Sequence, residues 1–470
     1  MTTSPGRLRS LAPQWLKSFY RRALAVLDPY PGRIDRGVYR ETAALLRRTS
    51  SYDARQMAAF QSEQLRDLIL HCARSVPFYR DLFGGKGIEP RDIRSPADLA
   101  VLPMIDREHV RSHLPEFLSE DYPARRRRHE STGGTSGRPL VFYSEKGFSA
   151  EREWAFWHAL AARAGYRTSD RLAVLRNDAL PGGRLFIYNP ATLRLVMDPF
   201  KLNPGSAGQY LGAMRRYGTR FLHTYPSAAT VLLRFASESG IRADGILDAL
   251  LCGSENVYEG QRAALEEGFG ARFFSWYGHS EKLVLAGECE YSTDYHSFPE
   301  YGVLELVDGD GRPVTAPGIP GEIVGTGFNN RVMPLLRYRT GDFAEWTEDV
   351  PCRCGRPHPR IRGVRGRWLQ EMVMGRSGSC ISMTSINMHS DVFDRVLRFQ
   401  FVQEEKGRLI LNIVRGGEYT DRDTDAVRRE ILRKIGSEVE LEVRFVEDIP
   451  TTGRGKQRFL VQNLELPGSR

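Results

Sequence analysis

The sequence predicts an α/β protein, with a large N-terminal domain that includes a barrel-like element and a small α+β domain behind it. Three observations carry this reading. From about residue 130 to 360 short apolar runs alternate with helical periods, the pattern of a sheet whose strands are largely parallel. Around Val303–Thr326 the texture changes, and two strand-like runs flank a Gly- and Pro-rich turn. After residue 367 two alternating runs enclose an amphipathic helix.

The elements follow in order. Residues 1–60 read as a basic, weakly helical extension. Gln61 to Arg74 places Leu65, Leu68, Ile69, Cys72 and Ala73 at helical spacing. Leu172 to Leu175 is predicted as a strand, Ser227 to Ser239 as a helix, and Ala249 to Cys252 as a strand before a turn. Val303 to Val307 and Glu322 to Thr326 are predicted as antiparallel strands. In the last part, Arg408 to Arg415 and Val439 to Val446 alternate as strands, and Asp425 to Ile435 reads as a helix. The predicted domains are 61–366 and 367–470.

Composition narrows the class. With 41% hydrophobic and 27% charged residues, most of the 470-residue chain is expected to fold as a soluble protein. No uncharged apolar stretch reaches the roughly 18 residues of a membrane span. Leu11 to Leu27 is broken by Lys17, Arg21 and Arg22, so no signal peptide is read there, and a cytoplasmic protein is expected. Six cysteines are too few for a disulfide scaffold. The formal charge of +9, part of it in Arg125 to Arg128, suits nucleotides, CoA, a phosphopantetheine carrier or acidic sugars, and equally a solvated basic surface. No nucleic-acid module is recognisable.

Four motifs offer chemistry. Ser131-Thr132-Gly133-Gly134-Thr135-Ser136-Gly137-Arg138-Pro139 can turn backbone N–H groups and hydroxyls onto phosphate oxygens. It lacks the GK[ST] ending of a Walker loop, and a plain surface turn has the same composition. Trp276-Tyr277-Gly278-His279-Ser280-Glu281 offers an aromatic ring for a base and a carboxylate for Mg²⁺, although aromatic-Gly pairs also simply end strands. In Leu336-Arg337-Tyr338-Arg339-Thr340-Gly341-Asp342, an Asp on a turn after a strand could accept both ribose hydroxyls. Thr451-Thr452-Gly453-Arg454-Gly455-Lys456 puts a lysine on a loop, where it could stabilise charge between a carboxylate and a phosphate or lie solvated.

Taken in order, these motifs resemble the adenylate-forming superfamily. They are most similar to its phenylacetate–CoA ligase family, in the branch of CapK-like capsular polysaccharide biosynthesis proteins. Ser75-Val76-Pro77-Phe78-Tyr79-Arg80, Leu102-Pro103-Met104, Gly253-Ser254-Glu255 and Pro334-Leu335-Leu336-Arg337-Tyr338 add to the resemblance, which runs from about residue 60 to 465. It implies an AMP-binding domain over 61–366 and a mobile lid over 367–470. Thr132, Gly133, Gly134, Thr135, Ser136 and Gly137 would embrace the ATP phosphates. Gly253, Ser254 and Glu255 would border the adenine, with Tyr277 stacked on it beside Gly278. Ser280 and Glu281 would sit by the phosphates and Mg²⁺. Asp342 would hold the ribose with Arg367 nearby, and Lys456 would be the adenylation lysine. The implied reaction turns a carboxylate and ATP into an acyl-adenylate and passes the acyl group to CoA. The chain departs from the pattern at Arg138, where Lys is common, and at Leu369-Gln370, where the hinge usually carries an Asp pair. Two alternatives stand beside this reading: a non-CoA acceptor in polysaccharide or coenzyme synthesis, and a non-catalytic homologue that only binds. The expected partners are a small carboxylate and CoA or another acceptor, and a homodimer is one permitted assembly.

Cys289 and His296, followed by Cys352 and Cys354, supply thiolates and an imidazole from two separate segments. That is the material of a closed tetrahedral zinc site, and the resembled branch often carries a similar cysteine set. His358 could replace His296, and two unrelated free-cysteine loops would have the same sequence. His223-Thr224-Tyr225-Pro226-Ser227 is expected to start a helix, with its Pro-Ser pair as the cap and its side chains beside an acyl pocket. His279 reads equally as a core histidine or a catalytic one, and Trp154 and Trp157 read first as core.

Overall fold

The computed structural model describes residues 36–131, 140–176, 180–258, 260–366, 372–386, 391–393, 395–449 and 460–464. The helix Ala54–Ser75 opens on a capping box: Asp53 accepts the Gln56 N–H at 2.7 Å and Gln56 Oε1 accepts the Asp53 N–H at 3.0 Å. Its apolar face buries Leu65, Leu68, Ile69 and Cys72. Val76 leaves the helix for the extended region because Pro77 follows it. Pro77 then opens the helix Pro77–Lys86, and left-handed Gly87 closes it. From this helix the Tyr79 hydroxyl donates to Pro334 O at 3.2 Å and accepts the Leu336 N–H at 2.9 Å. Two stretches of the predicted motif series are thereby tied together.

Among the described residues, twelve strands form one sheet. Its parallel block is Arg194–Met197, Leu172–Leu175, Phe221–Thr224, Ala249–Gly253 and Arg272–Gly278 in spatial order. The two central strands Leu172–Leu175 and Ala249–Gly253 are buried along their whole length because both faces of the sheet are covered. Along Leu172–Leu175, Ala173 and Leu175 face a core that includes Leu211 and Leu232, from the helices Pro204–Tyr217 and Pro226–Glu238. Leu172 and Val174 face the opposite core, with Phe156 and Leu160 from the helix Ser149–Arg163.

Beyond Arg272–Gly278 the sheet becomes antiparallel, through Leu285–Gly287, Tyr295–Ser297, Arg360–Arg365, Tyr338–Trp346, Pro320–Gly327 and Gly302–Val307. The strands expected around 303–307 and 322–326 are present and antiparallel, with Val303 opposite Thr326. They continue the main sheet.

Towards the C-terminal end, Glu440–Phe445, Arg408–Arg415, Val396–Gln403 and Leu460–Gln462 make a separate four-stranded sheet. The helix Asp421–Ile435 buries Val427, Ile431 and Ile435 in its core. This helix starts four residues before the expected Asp425, because Thr420 and Asp423 form a capping box. Phe200 of the turn Pro199–Lys201 also enters this core. Among the described residues no helix is long and apolar enough to cross a membrane.

Candidate functional site

In open parallel sheets ligands bind in the crevice beyond the carboxyl ends of the strands. Tyr277 lies at that end of Arg272–Gly278. Its hydroxyl donates to Asp342 Oδ2 at 2.9 Å, and both residues are buried. Burial, and then the Asp342 charge, push the Tyr277 hydroxyl well above its usual pKa, so it remains a donor. The expected place of Asp342 needs correction. It is not on a turn after a strand but inside the strand Tyr338–Trp346. Gly341 before it takes φ +74, and its N–H is held by Glu322 at 3.0 Å. This kink, with a register shift after Phe343, breaks the pairing and aims the carboxylate at Tyr277. A Cβ on Gly366 would stand 3.7 Å from Asp342 Oδ1. Asn256 pins that glycine by accepting its N–H at 2.7 Å and donating to its carbonyl at 3.0 Å.

Glu281 sits on the loop after Gly278, next to partly exposed Ser280. It is buried, and its Oε1 accepts the Tyr338 hydroxyl at 3.2 Å. Lys282 follows with φ +58 and reaches Glu130 at 3.4 Å. Glu130 belongs to the strand Arg127–Ser131, which pairs with Val141–Glu145, Ser131 opposite Val141. The Gly/Ser/Thr run thus connects the two arms of a hairpin rooted on the loop that carries Glu281. Thr132, Gly133, Gly134, Thr135, Ser136 and Gly137 themselves lie outside the described residues, as do Arg138, Arg367, Leu369, Gln370 and Lys456.

Gly253 has a steric reason to be glycine, since a Cβ there would meet the Trp276 ring at 2.6 Å. Ser254 takes φ +69, and its Oγ accepts Arg176 Nη2 at 3.0 Å. Glu255 takes the capping role expected of the Pro-Ser pair. Its carboxylate accepts the Ser227 N–H at 3.0 Å and the Ser227 hydroxyl at 2.8 Å, at the start of the helix Pro226–Glu238. Pro226 fills the first turn and lacks an N–H of its own, so the acceptor comes from a neighbouring strand end. His279 Nε2 accepts the Leu283 N–H at 3.3 Å, which uses it in shaping the loop.

The sulfur and imidazole donors converge. The ligand atoms of Cys289, His296, Cys352 and Cys354 all lie within 4.8 Å of one another. Cys289 Sγ is 3.6 Å from Cys352 Sγ, and Cys354 Sγ is 3.9 Å from His296 Nδ1. Zinc–sulfur bonds of about 2.3 Å at tetrahedral angles put sulfurs about 3.8 Å apart. The Gly355 N–H closes a turn on Cys352 O at 2.9 Å, with Gly355 at φ +72, and so lets both thiols face inward. Among the described residues, buried His296 Nε2 has no hydrogen-bond partner. Burial, then Arg163, Arg360 and Arg356, hold the ring neutral by lowering its pKa to about 3. His358 stands outside this group, against Phe298 at 5.4 Å.

Three contributors escaped the sequence reading: Arg176, Asn256 and the Glu130–Lys282 pair. None sits in a composition that marks it. Asn256 directly follows Gly253-Ser254-Glu255, and that adjacency was its one available signal.

Comparison with known proteins points the same way as the motifs. Residues 373–463 match the CapK C-terminal domain. The chain is 28% identical to a phenylacetate-coenzyme A ligase of Thermus thermophilus, over 66% of this chain and 70% of that one. It is 21% identical to Protein CapK of Staphylococcus aureus, over 86% and 89%. The chain is similar to phenylacetate-coenzyme A ligases over its larger part and to CapK over most of its length. The resemblance read from the motifs is borne out. So is the fold class, since the adenylate-forming fold recurs in solved structures of 2-hydroxyisobutyryl-CoA ligase. One holds 2-HIB-AMP and CoA in the thioesterification state (TM-score 0.56, 20% identity, 89% of this chain and 92% of that one). Another is in the postadenylation state with R3-HIB-AMP (TM-score 0.54, 19% identity, 89% and 91%).

Proposed function

We propose that this adenylate-forming protein converts a carboxylate and ATP into an acyl-adenylate and pyrophosphate, then passes the acyl group to CoA. The observation that carries the reading is the Tyr277–Asp342 contact at the strand ends, with Glu281 anchored close by on the loop that braces the Gly/Ser/Thr hairpin. An aromatic face, a hydroxyl-binding carboxylate and a second carboxylate beside a phosphate loop are what a nucleotide triphosphate needs in one crevice.

The roles follow. Thr132 to Gly137 hold the phosphates. Gly253, Ser254 and Glu255 border the adenine, with Tyr277 against it. Asp342 accepts the ribose hydroxyls, with Arg367 nearby. Ser280 and Glu281 face the phosphates, and Glu281 would hold Mg²⁺ there, which when bound would neutralise charge. A carboxylate oxygen of the acid attacks the α-phosphorus, and pyrophosphate leaves. Lys456, carried on the 367–470 lid, stabilises the charge that builds on the oxygens between them.

Cys289, His296, Cys352 and Cys354 are proposed as a structural Zn²⁺ site. Bound there, zinc supplies a cross-link between two loops. The donor set, the fitting sulfur spacing and the orphaned His296 nitrogen support it. Reduced thiols and ATP both suit the cytoplasm.

A second reading keeps adenylation and changes the acceptor to a non-CoA group. It is favoured by the CapK C-terminal match and by the coverage of Protein CapK. Pyrophosphate exchange across aryl, fatty and hydroxy acids, with and without CoA, tests both. No exchange with any acid overturns adenylation. Exchange without thioester formation selects the second reading.

A further inference from the structure

At the carboxyl ends of the parallel strands, beside the nucleotide crevice, a fixed positive charge stands among aromatic rings. Arg176 directly follows the strand Leu172–Leu175. Its Nη1 donates to His223 Nε2 at 2.8 Å and its Nη2 to Ser254 Oγ at 3.0 Å. Its guanidinium lies 4.2 Å over the Tyr225 ring. A guanidinium has only donors, so His223 Nε2 must be the acceptor and the ring proton is on Nδ1. Burial, then Arg176 and Arg194, keep that ring neutral. Trp157 and Trp276 flank His223 at 5.0 and 5.6 Å between ring centroids. Arg176, His223, Trp157 and Trp276 are all partly exposed, unlike the packed strand interiors around them.

Both hydrogen-bond partners of Arg176 are therefore neutral, and among the described residues no carboxylate forms an ion pair with it. The neutral groups fix its direction, and no described residue pairs with its charge. A guanidinium so held is built to meet an anion, and among the described residues no further hydrogen bond takes up its remaining N–H groups. The aromatic walls suit a flat or short apolar body between that anion and the carboxylate being activated.

We propose that Arg176 selects an acid carrying a second anionic group, a dicarboxylic acid in the simplest case, one end adenylated and the other held by the guanidinium. This rests on the acid-activating reading above and names its substrate class. Ser254 joins the two halves of the site: it accepts from Arg176, and its own O–H remains to donate.

Matched probes separate charge from shape: 4-carboxyphenylacetate against phenylacetate, and glutarate against butyrate. Binding is read by quenching of tryptophan fluorescence, and turnover by ATP–pyrophosphate exchange. The wild type is expected to bind one diacid about 10- to 100-fold more tightly than its monoacid partner, the range for a charged hydrogen-bonded pair. Arg176→Gln should erase that preference while moving monoacid binding less than about twofold. Arg176→Lys should restore part of it. Equal or undetectable binding of both members of both pairs in the wild type overturns the proposal. So does an Arg176→Gln variant that keeps the preference, loses all acids equally, or loses ATP affinity alone. A clear binding preference without exchange for any acid would instead sink the adenylation reading and leave the anion site standing.

Discussion

The Tyr277–Asp342 contact and the Cys289–Cys352 contact span almost the same length of chain, 65 and 63 residues. The first joins the last strand of the parallel block to the antiparallel arm of the main sheet, and the second lies beside that arm. They differ in what holds them. Tyr277 and Asp342 sit inside strands: Tyr277 is paired in the sheet, and at the break in the ladder the Asp342 N–H donates to Thr340 Oγ1 at 3.1 Å. Cys289, Cys352 and Cys354 sit on loops, and only His296 is in a strand. The first pair is preformed by the fold and needs no ligand to exist. The second is a set of donors whose geometry gains most from an ion at its centre. One region should thus lose function without losing structure, and the other the reverse.

The largest expected effect tests the cluster. Purified protein should hold about one Zn²⁺ per chain. Replacing Cys352 and Cys354 together by Ser should strip the metal and lower the melting temperature sharply, since binding free energy is folding free energy there. Metal content and thermal unfolding are the readouts. Metal-free protein that melts unchanged after chelation would break the comparison on this side.

Lys456→Ala should act on rate alone. A preorganised cation at the reacting oxygens is worth about 3–4 kcal/mol, roughly 100- to 1000-fold in adenylate formation. ATP affinity should stay nearly intact, and a supplied synthetic acyl-adenylate should still donate to the acceptor. Undiminished pyrophosphate exchange would remove Lys456 from the mechanism.

Asp342 separates charge from packing. Asp342→Asn keeps an acceptor for the Tyr277 hydroxyl and should hold the melting temperature while weakening ATP by about 1.5–3 kcal/mol. Asp342→Ala should weaken ATP similarly and also destabilise the fold by about 1–3 kcal/mol, because the buried Tyr277 hydroxyl loses its partner. Calorimetric ATP binding beside thermal unfolding checks both. Equal stability losses in the two variants would show that the carboxylate serves the fold alone.

Local patterns were legible where one physical rule dominated. Leu172 to Leu175 and Arg408 to Arg415 are strands within the residues the alternation marked. The helix expected at Ser227 starts at Pro226. The donor types of the cysteine and histidine cluster were readable because few other side chains bind soft metals. Asp342 was misplaced because a Gly inside Arg-Thr-Gly-Asp reads as a turn, whereas pairing with Pro320–Gly327 carries the strand through a kink. The cap that Glu255 forms on Ser227 depends on a neighbouring strand end, which local sequence does not encode. Arg176 was missed for the same reason. Its partners His223 and Ser254 lie 47 and 78 residues away, and only the parallel order of the strands brings them together.

The smallest effect reads how rigid the preformed half is. Tyr338 is buried, pairs with Ile105 through a backbone bridge, and donates its hydroxyl to Glu281. Tyr338→Phe keeps the ring that packs beside Leu335 and Leu336 and removes only the oxygen. The hydrogen bond is long at 3.2 Å, so its net value should fall near the low end, about 1 kcal/mol. Unfolding stability should therefore shift by no more than about that amount. If the hydroxyl orients Glu281 towards the phosphates, its loss should show as a higher Mg²⁺ requirement, with kcat/KM for ATP falling about fivefold at limiting Mg²⁺ and recovering at saturation. Recovery is the informative outcome, because a purely structural hydroxyl would lower stability without making activity depend on Mg²⁺. A fall in activity that Mg²⁺ does not relieve would mean that Glu281 is positioned by the fold and not by Tyr338.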